Sequence, residues 1–179
     1  MSRCEHPERV LKPMKKLIIL GAGGYGQTVA DVAEQIGYEP AFLDDHSPLA
    51  LGACSEFVRF LDGDTLFYPA FGNNARRVEW LKRLMEAGCQ MATLIHPTAY
   101  VSPRAAIGTG TAVLPGAIVN TGCVVGPGCI INCGAIVDHG CTLEEGVHVC
   151  LGAVVKAENH LPRCMKVEAG EVIGNREYR

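Results

Sequence analysis

Apolar residues return every six positions through the second half of the chain. Stepping from Ile95 lands on Val101, Ile107, Val113, Val119, Val125, Ile131, Val137, Leu143, Val149, Val155, Leu161, Val167 and Ile173, always Ile, Leu or Val. A period of six fits neither the 3.6 of a helix nor the alternation of a long strand. It fits a parallel β-helix, in which each hexapeptide gives one short strand and a turn, and three hexapeptides close a triangular coil. Two residues before each aliphatic stands a mostly small residue, among them Thr111, Ala117, Cys123, Cys129, Ala135 and Cys141. The interior of such a prism is narrow, so a large aliphatic alternating with a small inward residue is what packing requires. Gly108, Gly126 and Gly174 directly follow their aliphatic, and Asn120, Asn132 and Asp138 share that slot, where tight corners are expected. Residues 18 apart stack, so Val101, Val119, Val137, Val155 and Ile173 form one inner column. With coils about 4.8 Å apart, the prism is roughly 20–25 Å tall. From Lys156 to Lys166, "KAENHLPRCMK", the pattern loosens, and a looser coil or outward loop is expected.

The first half has a different rhythm. Leu17 to Leu20 is an apolar strand followed by a Gly-rich turn, and Val29, Val32, Ala33 and Ile36 then recur at helical spacing. A second strand runs to Leu43 and ends in Asp44 and Asp45. Gly21, Gly23 and Gly26 satisfy G-x-G-x-x-G, which combines a tight turn, a close backbone approach and helix N-terminal amides aimed at a phosphate. Asp44 stands where an acid can bond ribose or sugar hydroxyls. A strand over Leu66–Gly72, a helix from about Asn74 to Ala87 and a short strand "MATLI" complete this half. That is one mononucleotide-sized unit, which points to a nucleotide or nucleotide-sugar site. A purely structural βαβ turn and a dinucleotide site remain the alternatives. Gly72 and Asn73 fall at the same strand-end edge as the Gly loop, with Arg76 as a candidate phosphate contact. The expected organisation is an N-terminal extension (1–15), an α/β Rossmann-like half-domain (16–94) and a β-helix of hexapeptide repeats (95–179).

Composition narrows the function. A net charge of −3 without a basic run argues against nucleic acid. No apolar run reaches membrane-spanning length, and the charged N-terminus lacks the apolar core of a signal peptide, so a cytoplasmic protein is expected. The nine Cys include no C-x-x-C pair, and three of them occupy small inward slots, which makes them packing residues. In "AIVDHGCTLEEGVHV" two histidines stand nine residues apart. The prism interior is filled by the aliphatic columns, so His139 belongs on the outer wall just past a corner, where a near-neutral group can move a proton. His148 falls on a different face of the same chain. His139, His148 and His160 lack the close His pair that a three-histidine zinc site on this kind of helix needs.

In order along the chain, GAGGYG, FLDD, FGNNARR, LIHPTA and the hexads carrying IINCGAIVDHGC and HVCLGA resemble the bacterial hexapeptide-repeat sugar acetyltransferases. These acetylate UDP-4-amino sugars, as in the bacillosamine type, or sialic acid. The resemblance runs from about Lys16 to Val155. It implies a left-handed β-helix, a homotrimer with active sites between subunits, acetyl-CoA as co-substrate and no metal. It further implies His139 as general base and His148 as a contact to the acetyl-CoA thioester region. The nucleotide-sugar contacts would be Gly23, Gly24, Tyr25, Asp44, Asp45 and Gly72. Two features depart from the family pattern at the site. Gly140 follows the base where bacillosamine-type members carry an acid that orients it, leaving Asp138, Glu144 or a neighbouring subunit to do so. Tyr25 stands where His is common. The chain also stops at Arg179, short of the last coils that line the pantetheine groove in longer members. The alternative reading is a non-catalytic nucleotide-sugar-binding relative of the same fold.

Overall fold

The computed structural model describes residues 14–179. Of the expected N-terminal extension, only Met14 and Lys15 are among them. The first half is a parallel sheet with two helices: β1 (Lys15–Leu20), α1 (Gly24–Gln35), β2 (Tyr38–Leu43), β3 (Leu66–Pro69), α2 (Asn74–Glu86) and β4 (Gln90–Met91), in strand order β2-β1-β3-β4. Leu17 to Leu20 are all buried, as a central strand covered on both faces requires. A 3-10 helix over Cys54–Phe60 was not legible in the sequence. It is fixed by a local cap and a tertiary contact: Glu56 accepts the Ala53 N–H at 3.1 Å, and the Phe57 ring meets Phe67 edge-on at 6.4 Å.

From Leu94–Ile95 to Val172–Ile173, fourteen two-residue strands recur every six residues and form the three walls of a left-handed β-helix. Pairing is parallel and 18 residues apart, as in Ile136 with Ile118 and Val154. From Val113 onward every aliphatic of the six-residue series is buried, whereas Ile95 is 38 % exposed because it belongs to the first coil. At the other end Tyr178 packs on the inner core, its N–H held by Asn159 Oδ1 at 2.9 Å.

The small inward residues do more than fit. Thr111, Cys123, Cys129, Cys141 and Asn159 each donate to the carbonyl fifteen residues ahead, at 2.8–3.2 Å. Each satisfies a corner carbonyl that the short strands leave unpaired. A buried thiol is therefore both a small packing group and a donor.

Two expectations about the coils need correction. Lys156 to Lys166 is a regular coil with strands His160–Leu161 and Lys166–Val167, not a loop. Asn159 fills its small slot by bonding the carbonyls of Lys156 and Gly174. The left-handed corner residue also lies three positions after the aliphatic, as at Gly140 (φ +69°) and Gly146 (φ +73°), not directly after it. Glycine at 108 and 126 has another cause: a Cβ there would lie 2.5 Å from Pro127 N or 2.8 Å from Glu144 C in the next coil.

One wall of the prism carries the α/β unit. Its outward residues Leu94, Ala112 and Ile130 are fully buried in a core shared with Val29, Ala30 and Ala33 of α1. Arg77 of α2, itself fully buried, ties the two parts together. Its guanidinium donates to the carbonyls of Gly128 (2.7 Å), Gly146 (2.8 Å) and Phe71 (2.8 Å) and to Asn74 Oδ1 (2.9 Å). A buried cation is tolerated here because every face of the fork meets an oxygen.

Candidate functional site

The strand ends of β1 and β2, the Gly loop and the start of α2 enclose a cavity of about 310 Å³. All six residues that the sequence marked for a nucleotide-sugar line it: Gly23, Gly24, Tyr25, Asp44, Asp45 and Gly72. Each glycine of the loop has its own reason. Gly21 has φ +104°, and a Cβ at Gly26 would lie 2.0 Å from Gly21 O, so the turn and the helix start press together. A Cβ at Gly23, Gly24 or Gly72 would meet no protein atom within 4 Å; these positions keep the cavity wall open. No side chain caps α1 and no acid stands in its first turn, so its first amides and the positive end of its dipole remain free for an anion.

Asp44 is a clamp. Oδ2 accepts the Ala22 N–H, and Oδ1 accepts those of His46 and Ser47, all at 2.9 Å. The Ala22 amide, then that of His46, holds its carboxyl below the usual range. Three of roughly four acceptor positions are thus occupied by the chain's own backbone. Asp45 accepts from Cys54 N (3.0 Å) and lies 3.8 Å from the Arg76 guanidinium, which sits 4.5 Å over the Phe71 ring. Tyr25 OH bonds Tyr68 OH at 2.7 Å, and burial, then the charge of Tyr68, pushes its pKa well above normal. Burial, then Asp45, pushes the Cys54 thiol up to about 11, so it lines the cavity as a neutral group. His46 and Phe71 also line this cavity and were missed in the sequence. Their one signal is position, each lying two or three residues past a strand end.

The two histidines lie on different walls. His139 follows strand Ile136–Val137 and is exposed, beside a second cleft of about 380 Å³ lined by Ala157, Glu158, Asn175, Arg176 and Arg179. Its Nδ1 lies 3.1 Å from Asp138 Oδ1, and among the described residues its Nε2 has no partner. Glu144 does not reach it, being engaged by His160 Nε2 (2.9 Å) and the Arg163 N–H (2.7 Å). His148 lies in strand His148–Val149 on the wall that carries the α/β unit, with Nε2 3.1 Å from Asn132 Nδ2. Burial, then Arg77, lowers its pKa to about 4. Within one chain the structure therefore brings the six cavity residues together but not the two histidines. Among the described residues no group of three or more His, Cys, Asp or Glu is placed to hold a metal ion, and no helix is long and apolar enough to cross a membrane.

Comparison with known proteins gives a consistent picture. Residues 16–84 match the family model of the PglD N-terminal domain. UDP-N-acetylbacillosamine N-acetyltransferase of Bacillus subtilis is 35% identical over 113 residues, 56% of this chain and 52% of that protein, so the match spans about half of this curated relative. The acetyltransferase domain of PglB from Neisseria gonorrhoeae superposes with a TM-score of 0.82 at 31% identity, covering 90% of this chain and 92% of that one. The same domain in complex with acetyl coenzyme A gives a TM-score of 0.77 at 30% identity, over 92% and 89% of the two chains. A variant of perosamine N-acetyltransferase from Caulobacter crescentus, in complex with CoA and GDP-perosamine, shares the fold at 24% identity and a TM-score of 0.74, over 90% and 89%. With a Gly-loop half-domain on a hexapeptide prism and this likeness along nearly its whole length, the chain belongs to the bacterial hexapeptide-repeat sugar acetyltransferases.

Proposed function

We propose that the chain is an acetyl-CoA-dependent acetyltransferase acting on an amino or hydroxyl group of a nucleotide-activated sugar or sialic acid, working as a cytoplasmic homotrimer. The observation that carries this reading is the pairing of an open, anion-ready cavity with an exposed histidine whose Nε2 is free. The cavity takes the nucleotide-sugar, its diphosphate at the amides of α1 and its remaining polar groups toward Asp45 and Arg76. His139 accepts a proton from the acceptor nitrogen or oxygen as that atom attacks the thioester carbonyl carbon. The new C–N or C–O bond forms, the C–S bond breaks, and the CoA thiolate takes up a proton as it leaves. A backbone amide at a coil corner stabilises the oxyanion. His148 contacts the thioester region as a neutral imidazole, consistent with its lowered pKa. The buried thiols take no part.

Assembly is supported by one wall of the prism. Its outward residues, stacked 18 apart, are Tyr100, Ile118, Ile136, Val154 and Val172, every one apolar. The third wall carries Ala106, Val124, Thr142 and His160 instead. His139 directly follows the apolar wall, so a second copy packed there lies beside it.

The deciding experiment is CoA release from acetyl-CoA, followed by mass spectrometry, against UDP-amino sugars and sialic acid. We expect acceptor-dependent turnover that falls at least a hundredfold in His139→Ala. Saturable UDP-sugar binding with no turnover on any acceptor would instead establish a non-catalytic relative.

A further inference from the structure

Position 140 carries no helper for His139. Gly140 is the left-handed corner of its coil (φ +69°), its N–H is spent on Thr121 O at 3.0 Å, and a Cβ there would come within 3.4 Å of Glu158 Cγ. The acid lies on the other side of the histidine. Asp138 Oδ1 faces three donors: the His139 backbone N–H at 2.7 Å, Asn120 Nδ2 at 3.0 Å and His139 Nδ1 at 3.1 Å. Asn120 belongs to the preceding coil, 18 residues back in the slot stacked on Asp138.

We propose that Asn120 and Asp138 form the positioning pair of His139: Asn120 fixes the Asp138 carboxylate, which fixes the imidazole with its proton on Nδ1 and its lone pair on Nε2. An ionised carboxylate only accepts, so the ring nitrogen facing it carries the hydrogen. The carboxylate stays ionised because the His139 amide, and after it Asn120, holds the Asp138 carboxyl below its usual range. The amide geometry also pins Asp138 to one rotamer, since Oδ1 is gripped by groups from two coils. The other charged groups at this corner are Lys156, in the slot stacked on Asp138 in the following coil, Glu158, which is ion-paired to Arg176, and Arg179 across the cleft. None of them is within hydrogen-bond reach of the His139 ring. The family's helper has moved from the residue after the base to the residue before it, with its support in the preceding coil. Neither residue touches the reacting atoms.

This inference rests on His139 being the base, and its test separates the two. On the full chain with 15N-labelled histidine, the His139 ring should show the neutral Nδ1–H tautomer in NMR spectra. Asp138→Asn keeps the side-chain shape but can present an amide N–H to the ring, and should abolish that preference. Asn120→Ala should raise the 13C titration midpoint of the Asp138 carboxyl. With an acceptor in hand, Asp138→Asn should lower kcat on the order of tenfold to a hundredfold with KM within twofold, because only the orientation of the base is lost. The double variant should be no slower than Asp138→Asn alone, as both act through one group. A wild-type ring protonated on Nε2, or a tautomer unmoved by Asp138→Asn, overturns the positioning pair whatever the activity. A tautomer that follows Asp138 in a protein that acetylates nothing upholds the pair and overturns the acetyltransferase reading.

Discussion

His148 shows how much one side chain's setting can say. Asn132 Oδ1 already accepts the Cys133 N–H at 2.8 Å, so its amide nitrogen is the group that faces His148. Asn132 Nδ2 therefore donates to His148 Nε2, and the single ring proton sits on Nδ1, which is buried with no partner among the described residues. Protonating this ring would place a cation near Arg77 and Lys166, with only Glu168 opposing them. Because the folded pKa is about 4 against 6.5 for the free side chain, the unfolded chain binds the proton more tightly. The stabilising contribution is complete above pH 6.5, shrinks as pH falls, and is gone once pH passes through 4. At about 1.4 kcal/mol per unit, it totals roughly 3 kcal/mol. Urea unfolding of the wild type should therefore lose about 2 kcal/mol from this group between pH 6.5 and 5. His148→Gln, which cannot titrate, should show a curve flatter by that amount. Parallel curves would mean that His148 is solvated.

At the scale of elements, the six-residue register was legible because the prism repeats the same constraint at every strand: one large and one small inward residue. The Gly loop was legible for the same kind of reason, since Gly21 and Gly26 are forced by backbone contacts that no other residue permits. The corners were not, because glycine occurs at two positions of the repeat for two reasons, a left-handed φ at one and a passing backbone at the other. Glu158, Cys164 and Arg176 also stand at left-handed corners, so the absence of Gly near Lys156–Lys166 marked a mildly costly coil and not a loop. The two kinds of demand can be separated by substitution. A Cβ at Gly152 (φ +63°) meets nothing, while one at Gly146 (φ +73°) would lie 2.4 Å from Val78 Cγ2 of α2. Gly152→Ala should cost only the corner's own roughly 1–2 kcal/mol. Gly146→Ala should cost a further 1–3 kcal/mol or so, as the docking of α2 is forced apart. Guanidinium midpoints of the two variants measure the difference. Equal losses would show that α2 is not seated on this corner.

For the whole molecule, the outward residues of the repeat decide what each wall does, and sorting them by 18 would have shown it in the sequence. Leu94, Ala112 and Ile130 accept the α/β unit, Thr142 and His160 make another wall polar, and Tyr100, Ile118, Ile136, Val154 and Val172 leave the last one apolar with no cover from the described residues. What no pattern could give is Arg77. Its sequence neighbours read as an amphipathic helix, and only the packed structure shows its fork spent on the carbonyls of two prism corners. With that tie the Gly-loop cavity and its own prism form one unit, so the proposed UDP-sugar binding should survive the loss of assembly while acetyl transfer should not. Ile136→Glu tests this. It sits at the centre of the apolar column, next to the His139 segment, on a side chain that is only half-buried in the single chain, so folding tolerates it. In the proposed trimer the new carboxylate is buried without a partner, at a cost of several kcal/mol. Sedimentation should then report a monomer in place of a trimer, with UDP-sugar binding within about twofold of wild type and CoA release lost. A variant that still sediments as a trimer would move the subunit contact to another wall. A monomer that still turns over would place His139 and the acceptor within one chain.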